Sequence, residues 1–215
     1  MNLQWKYWYF KEAISPKICD EIIHHGLSQK HREQVAFTGD AKFQRDLIKK
    51  PPTKKELKDL RKTRNSNVTW LNDRWIYDAI QPFVNIANKN ANWNFDWDFS
   101  ENCQFTRYSK GQFYDWHCDS WENPYDKPGT PEHGKIRKLS VTVSLSDPKD
   151  YVGGELEFDY RNRAPHQKSY LVKCKEIAPR GSVVVFPSFM WHRVCPVKRG
   201  TRYSLVMWNL GYPFK

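Results

Sequence analysis

The chain has 215 residues, 35 Lys+Arg against 24 Asp+Glu for a net charge of +11, and an aromatic complement of ten Trp, eleven Tyr and twelve Phe. That is the length of one ordinary domain, long enough to bury a core without disulfides. Five cysteines (Cys19, Cys103, Cys118, Cys174, Cys195) form no CxxC pair, which excludes a zinc ribbon and fits a reducing compartment.

The N-terminus MNLQWKYWYFKEAIS lacks the apolar run of a signal peptide, and nowhere do about 18 apolar residues follow one another. The expectation is a cytoplasmic protein with no membrane span. The charge is unevenly spread: 5−5 = 0 over residues 1–41, 10−3 = +7 over 42–64, 2−4 = −2 over 65–100 and 18−12 = +6 over 101–215. More than half of the excess therefore lies in one short segment, read as either a phosphate-contacting arm or a solvated basic face.

In chain order, Ser15-Pro16 is an N-cap followed by proline at N1, with Ile18, Ile22 and Ile23 on one helical face and Gly26 as the expected stop. Segment 42–64 opens as a Lys/Arg-rich loop interrupted by Pro51-Pro52. Thr53-x-x-Glu56 then forms a capping box for a basic helix with Leu57 and Leu60 inward. Trp75, Ile76, Ala79, Ile80, Phe83, Ile86 and Ala87 predict a third helix, with a kink or break at Pro82.

From residue 102 the pattern changes to short runs rich in Val, Thr, Tyr, Phe and Trp between Gly, Pro, Asp and Asn. Eight strands are predicted, at about 102–108, 113–119, 138–146, 154–160, 169–177, 182–187, 192–197 and 202–210. Such spacing without intervening helices implies two antiparallel sheets in a sandwich or jelly roll. The expected fold is mainly β with N-terminal helices. It is a single domain over 1–215, with 1–100 a helical support region and 101–211 the jelly-roll catalytic core.

His117-x-Asp119 ends a predicted strand, where alternation turns both side chains to one face. His192 begins a later strand, and a jelly roll gathers the ends of distant strands at one mouth. Two His and one carboxylate make the facial set of non-haem Fe(II), with zinc as the chemical rival. Arg202, on the next predicted strand, separates the two: a buried guanidinium suits the carboxylate of an oxygenase cosubstrate and has no evident use in a zinc hydrolase. Ser204 shares its face and can add a hydroxyl donor, and Trp208 shares it too. Strand parity turns Cys118 and Cys195 away from the metal side. His24, His25, His31, His133 and His166 read as solvated or loop residues.

The blocks RYSKGQFYDWHCD, RKLSVTVSLSD, GGELEF and HRVCPVKRGTRYSLVMW, in this order, resemble the Fe(II)- and 2-oxoglutarate-dependent oxygenases, within them the prolyl 4-hydroxylase-like branch. The resemblance implies a double-stranded β-helix and iron ligation by His117, Asp119 and His192, with no catalytic side chain beyond the metal centre. It implies that Arg202 and Tyr108 hold the far carboxylate of 2-oxoglutarate, that Leu156 walls its pocket, and that Tyr114 lines the substrate side. Many prolyl 4-hydroxylases carry lysine where this chain has Arg202, which points to another sub-branch. The cofactors implied are Fe(II), 2-oxoglutarate and O2, with ascorbate as an admissible reductant, and the partner implied is a protein or peptide substrate.

Two other readings stand beside this one. The same chemistry on nucleic acid would use 42–64 as a phosphate-contacting arm; that segment shows no aromatic stacking platform, so this reading is not favoured. A non-catalytic jelly-roll binding module would have no evident reason to keep the triad together with Arg202.

Overall fold

The computed structural model describes residues 3–36, 53–120, 123–160 and 170–214. Its helices are α1 (Pro16–Ser28), α2 (Lys54–Thr63) and α3 (Arg74–Asn90). The strands of the first hundred residues are β1 (Trp8–Phe10), β2 (Gln34–Val35), β3 (Arg64–Asn65), β4 (Asn67–Leu71) and β5 (Phe99–Ser100). There follow β6 (Cys103–Tyr108), β7 (Phe113–His117), β8 (Ile136–Ser144), β9 (Tyr151–Gly153) and β10 (Leu156–Asp159). The last five are β11 (Leu171–Lys173), β12 (Val183–Pro187), β13 (Trp191–Val194), β14 (Val197–Gly200) and β15 (Arg202–Gly211).

An eight-stranded sheet runs β1-β12-β8-β15-β6-β4-β2, with β5 also on β15; a five-stranded sheet runs β11-β10-β13-β7-β3, and β9 pairs with β14. All pairings are antiparallel. The expected jelly roll with flanking helices is therefore present. The first hundred residues are less purely helical than expected, since they supply five strands that extend both sheets.

The period-2 alternation of the large sheet decides where the core and the site lie. On β8, Leu139, Val141 and Val143 join the buried cluster that holds Ile22 of α1 and Ile76, Ile80 and Val84 of α3. Phe105 of β6 and Leu205 and Met207 of β15 face the same way. Each such side chain, fully buried, contributes about 1.5–3 kcal/mol. The intervening residues, Gln104, Thr142, Arg202 and Ser204 among them, face the small sheet and line a cleft. A second apolar cluster of Leu156, Phe158, Ile177, Val184, Phe186 and Met190 lies beside that cleft, and Leu156 and Phe186 also belong to its wall.

Local signals account for two of the three helix N-termini. The Ser15 hydroxyl accepts from Ile18 N–H at 3.3 Å. Thr53 and Glu56 form the reciprocal capping box, with Thr53 N–H on Glu56 Oε2 at 2.7 Å and Glu56 N–H on Thr53 Oγ1 at 3.3 Å. Leu60 is half-buried, while the Leu57 side chain and the loop 42–52 with Pro51-Pro52 lie outside the described residues.

Two expectations for the helices are not met, a stop at Gly26 and a break at Pro82. Helix α1 does not stop at Gly26 but continues to Ser28, and Gly26 lies inside it where a Cβ would collide with the Phe105 ring. Its value is close approach, not left-handed backbone. Gly26→Ala is expected to destabilise the fold by about 1–3 kcal/mol, read as a lowered urea midpoint. Helix α3 does not break at Pro82, which sits on its exposed side while Ile76, Ile80, Val84 and Ala87 keep one buried face. Water can take the carbonyl that the missing proline N–H leaves unpaired. His25 is likewise not a free solvated residue: its Nε2 lies 2.7 Å from Asp73 Oδ2, tying α1 to the start of α3. His166 lies outside the described residues.

Strand bounds also shift. The segment expected as a strand over 169–177 is the short β11 followed by a 3-10 turn at Lys175–Ile177. The stretch 192–197 divides between β13 and β14, with Cys195 and Pro196 between them. Among the described residues, no helix is long and apolar enough to cross a membrane.

Candidate metal and cosubstrate centre

Strands β7 and β13 pair so that His117 and His192 are direct cross-strand partners, with ring centroids 4.1 Å apart. Asp119 is not on the strand as expected, since β7 ends at His117. Its N–H and that of Ser120 both donate to the Ser188 carbonyl, at 2.8 and 2.9 Å, and this turn rather than strand parity brings the carboxylate inward. Asp119 Oδ1 lies 3.7 Å from His117 Nε2, and Oδ2 lies 3.6 Å from His192 Nε2. The donor atoms of the three side chains fall within 4.8 Å of one another, the one such group among the described residues. Cys118 and Cys195 are outside it.

Each imidazole is oriented by its far nitrogen. His117 Nδ1 donates to the Asp115 carbonyl at 2.7 Å and His192 Nδ1 to the Met190 carbonyl at 2.9 Å, so both Nε2 lone pairs face the carboxylate. This is the outer support that a metal-ligating histidine needs. Burial, and then the neighbouring His192, hold His117 well below the usual histidine range, so it is neutral at pH 7. Burial works to raise the Asp119 carboxyl, but His192, His117, Arg137 and the Ser140 hydroxyl together outweigh it and hold the group down at about 2. Two inward-facing imidazole nitrogens and one buried anion suit a divalent cation with open positions.

Ser140 Oγ donates to Asp119 Oδ2 at 2.7 Å and lies 2.9 Å from Ser188 Oγ. Ser140→Ala is expected to weaken Fe(II) binding about tenfold in an anaerobic titration, with little change in melting temperature.

Arg202 does not lie on the strand beside His192. It stands on β15 in the large sheet, so it faces the metal-side residues across the jelly roll. It is 3% exposed, and Nη1 donates to Ser204 Oγ at a long 3.3 Å. Tyr108 is its direct cross-strand partner on β6, with the ring centroid 5.6 Å from Cζ. No carboxylate among the described residues is within ion-pair distance of Arg202. A buried guanidinium so weakly satisfied fits an arriving dicarboxylate. Gly154 makes room for it: its φ is +67°, and a Cβ there would come 2.8 Å from Arg202 Cδ.

The cleft brings together every residue expected at the site: Tyr108, Tyr114, His117, Asp119, Leu156, His192, Arg202 and Ser204. Trp208 also lines it, with a buried Nε1 that has no hydrogen-bond partner. The sequence reading missed Ser140 and Ser188, which hold Asp119, and Arg137, which stacks over Trp208 at 3.8 Å while its Nε and Nη2 donate to Glu101 at 2.9 and 2.6 Å. It also missed Arg64, whose guanidinium lies 4.3 Å from the Tyr114 ring centroid. For Ser140 and Thr142 a signal existed: in RKLSVTVSLSD every second residue is polar, as a strand between a core and a cleft requires.

A facial set of two histidines and one carboxylate in an antiparallel jelly roll, with a buried arginine in the same cleft, defines the class of mononuclear non-haem metal centres that take a carboxylate cosubstrate. Residues 103–209, about half of the chain, match the profile described as the 2OG-Fe(II) oxygenase superfamily. The chain belongs to that family.

A PKHD-type hydroxylase of Synechococcus is 38% identical over 108 residues, which is 50% of this chain and 40% of that protein. The matched stretch thus spans about two-fifths of the length of such curated relatives. A prolyl-4-hydroxylase of Pseudomonas putida superposes with a TM-score of 0.64 at 16% identity, covering 96% of this chain and 93% of that one. A prolyl hydroxylase of Trichoplax adhaerens, solved with a hypoxia inducible factor peptide fragment, gives 0.58 at 17%, covering 95% and 84%. At these identities the likeness establishes the shared fold.

Proposed function

We propose that the chain is an Fe(II)- and 2-oxoglutarate-dependent dioxygenase that hydroxylates an unactivated C–H of a peptide or protein, with the proline ring as the first candidate. The overall conversion is R–H + 2-oxoglutarate + O2 → R–OH + succinate + CO2. The single observation that carries the reading is that one cleft holds both the His117, Asp119, His192 set and the uncompensated Arg202. A metal site without a dicarboxylate cosubstrate would leave that guanidinium buried for no purpose.

In this reading His117, Asp119 and His192 hold the iron, which supplies the activation of O2 coupled to oxidative decarboxylation of the cosubstrate. Arg202 pairs with the far carboxylate, Tyr108 and Ser204 complete that end, and Leu156 bounds the pocket. Tyr114, stacked on His117 at 3.4 Å, forms the substrate-side wall. The apolar part of the wall, from Leu156, Phe186, Val194 and Val206, keeps competing water from the reacting atoms. Residues 101–211 act as the catalytic core and 1–100 as its support, within a single domain; the conversion needs no external reductant, and ascorbate would serve only to return oxidised iron to Fe(II).

The prolyl hydroxylases with the same fold, one of them solved with a peptide, favour peptide over nucleic acid. The test is succinate formation by the Fe(II)-loaded chain with proline-containing peptides or oligonucleotides, and mass spectrometry of each for the gain of one oxygen atom. Peptide-stimulated turnover is expected. Stimulation by oligonucleotides alone would move the substrate to nucleic acid, and absence of any 2-oxoglutarate turnover would remove the dioxygenase reading.

A further inference from the structure

The second apolar cluster, beside the cleft, carries a group of oxidisable side chains that the reaction above does not use. Phe158, buried on β10, is the direct cross-strand partner of His192, with ring centroids 6.2 Å apart. The Tyr7 ring stacks on Phe158 at 5.1 Å with an interplanar angle of 11°. One phenyl ring therefore connects His192 to a phenol that lies outside the cleft wall.

This phenol is placed to lose an electron and a proton together. Its hydroxyl donates to Glu176 Oε2 at 3.1 Å, and the Cys174 thiol donates to the same oxygen at 3.7 Å, which holds the carboxylate in place. Burial, and then the neighbouring Cys174 and Glu176, hold the Tyr7 hydroxyl above its usual range, so it is protonated at neutral pH. A phenol that gives up an electron becomes a strong acid and needs a base within hydrogen-bond reach, and Glu176 supplies one. Tyr9, with its ring 6.4 Å from that of Tyr7 and 44% exposed, continues the path to the surface.

A second aromatic pair also leads outward, from Trp208 to Trp70 at 6.1 Å, with Trp70 36% exposed. It is the poorer electron donor. The Arg137 guanidinium lies 3.8 Å from the Trp208 ring centre and opposes a positive charge on the indole, and Trp208 Nε1 has no acceptor for its proton among the described residues.

We propose that Tyr7 is a discharge point for the oxidised metal centre: when no oxidisable C–H lies in the cleft, Tyr7 gives up one electron through Phe158 and its hydroxyl proton to Glu176, and ascorbate or a thiol at the surface returns the electron by way of Tyr9. The inference rests on the dioxygenase reading. The proton moves back from Glu176 as the electron returns, so the O–H bond broken in the first step is re-formed in the second. Two such passages complete the peptide-free reaction, 2-oxoglutarate + O2 + 2 e− + 2 H+ → succinate + CO2 + H2O. In it one ascorbate is oxidised to dehydroascorbate, or two thiols to a disulfide. The discharge protects the cleft, whose own wall contains the oxidisable rings of Tyr114 and Trp208.

The test mixes the Fe(II)- and 2-oxoglutarate-loaded chain with O2 in the absence of peptide. Samples frozen within the first turnover are read by electron paramagnetic resonance, and oxygen added to side chains is mapped afterwards by peptide mass spectrometry. The wild type is expected to give a tyrosyl radical that ascorbate quenches. Tyr7→Phe keeps the stacked ring and removes the hydroxyl; it should lose the signal and gain oxygen at Tyr114 or Trp208. Glu176→Gln keeps the shape and removes the base, and should lower the radical yield about tenfold or more. Trp70→Phe should leave the signal unchanged. Oxygen added to the cleft rings in Tyr7→Phe and not in the wild type supports the proposal even where the radical is too brief to trap. A signal of wild-type size in Tyr7→Phe overturns it, as does loss of the signal in Trp70→Phe. Peptide-free succinate with no radical, and with equal oxidation of the cleft rings in wild type and Tyr7→Phe, overturns it too. Should Tyr7→Phe fail to fold, as judged by its melting curve, the same two readouts in Glu176→Gln decide. Succinate formed only with peptide leaves Tyr7 nothing to discharge and rejects the relay alone, whereas no succinate under either condition rejects the dioxygenase reading.

Discussion

Asp119→Asn is expected to lower Fe(II) affinity at least ~100-fold and to abolish succinate formation, with little loss of stability. The amide has the shape of the carboxylate and can still accept from the Ser140 hydroxyl, 2.7 Å from Oδ2, so the turn at Ser188 should hold. What disappears is the negative charge. Asp119 is the anionic member of the trio, and imidazole ligands bring no negative charge to compensate a dication in a cleft this buried. Anaerobic titration with Fe(II) and a melting curve separate the two effects. Retained iron binding, or retained 2-oxoglutarate turnover, would remove Asp119 from the ligand set. The histidines call for a different result: His117→Ala also removes the face on which Tyr114 stacks, so its loss of iron should come with a change in substrate binding.

The second large effect falls on the cosubstrate alone. Arg202→Met keeps the apolar stem of the side chain beside Gly154 and removes the guanidinium and its charge. A charge-assisted pairing of about 1.5–3 kcal/mol should then be lost, which raises the KM for 2-oxoglutarate about 10- to 100-fold. Fe(II) affinity measured without 2-oxoglutarate should not move, because Arg202 stands on β15, in the sheet opposite the two histidines. A variant that instead loses iron and keeps its KM would place the arginine in the metal support. Arg202→Lys keeps the charge and loses the fork, so an intermediate KM would show that geometry as well as charge holds the cosubstrate.

The two arginines differ in how far the sequence could expose them. Arg202 is ten residues beyond His192 in a block with family resemblance, and its parity with Ser204 and Trp208 already put it on the cleft side. Arg64 sits at the end of a basic helix, where a solvated role is the ordinary reading. Only the pairing of β3 with β7 across nearly fifty residues turns it into a buried cation behind Tyr114. Ser188 was hidden for a similar reason, since it holds Asp119 through its backbone carbonyl, and every residue has one. Gly26 looked like a helix stop because glycine at a helix end is common. Its job is set by Phe105, seventy-nine residues away, which no local signal reports.

By itself the sequence determined the local and periodic features: the caps at Ser15 and Thr53, the strand-rich second half, and the triad with Arg202 as one ordered set. These rest on short-range chemistry and on period-2 alternation, both carried by neighbouring residues. Only the tertiary structure decided that the first hundred residues also extend both sheets, that α1 runs past Gly26, and that Asp119 is held by a turn. It also decided that, among the described residues of the basic segment, Arg64 is buried. The excess charge was legible as a number in the segment 42–64, but the burial of this side chain arises from contacts between distant strands. Those contacts separate Arg64 from the exposed lysines beside it.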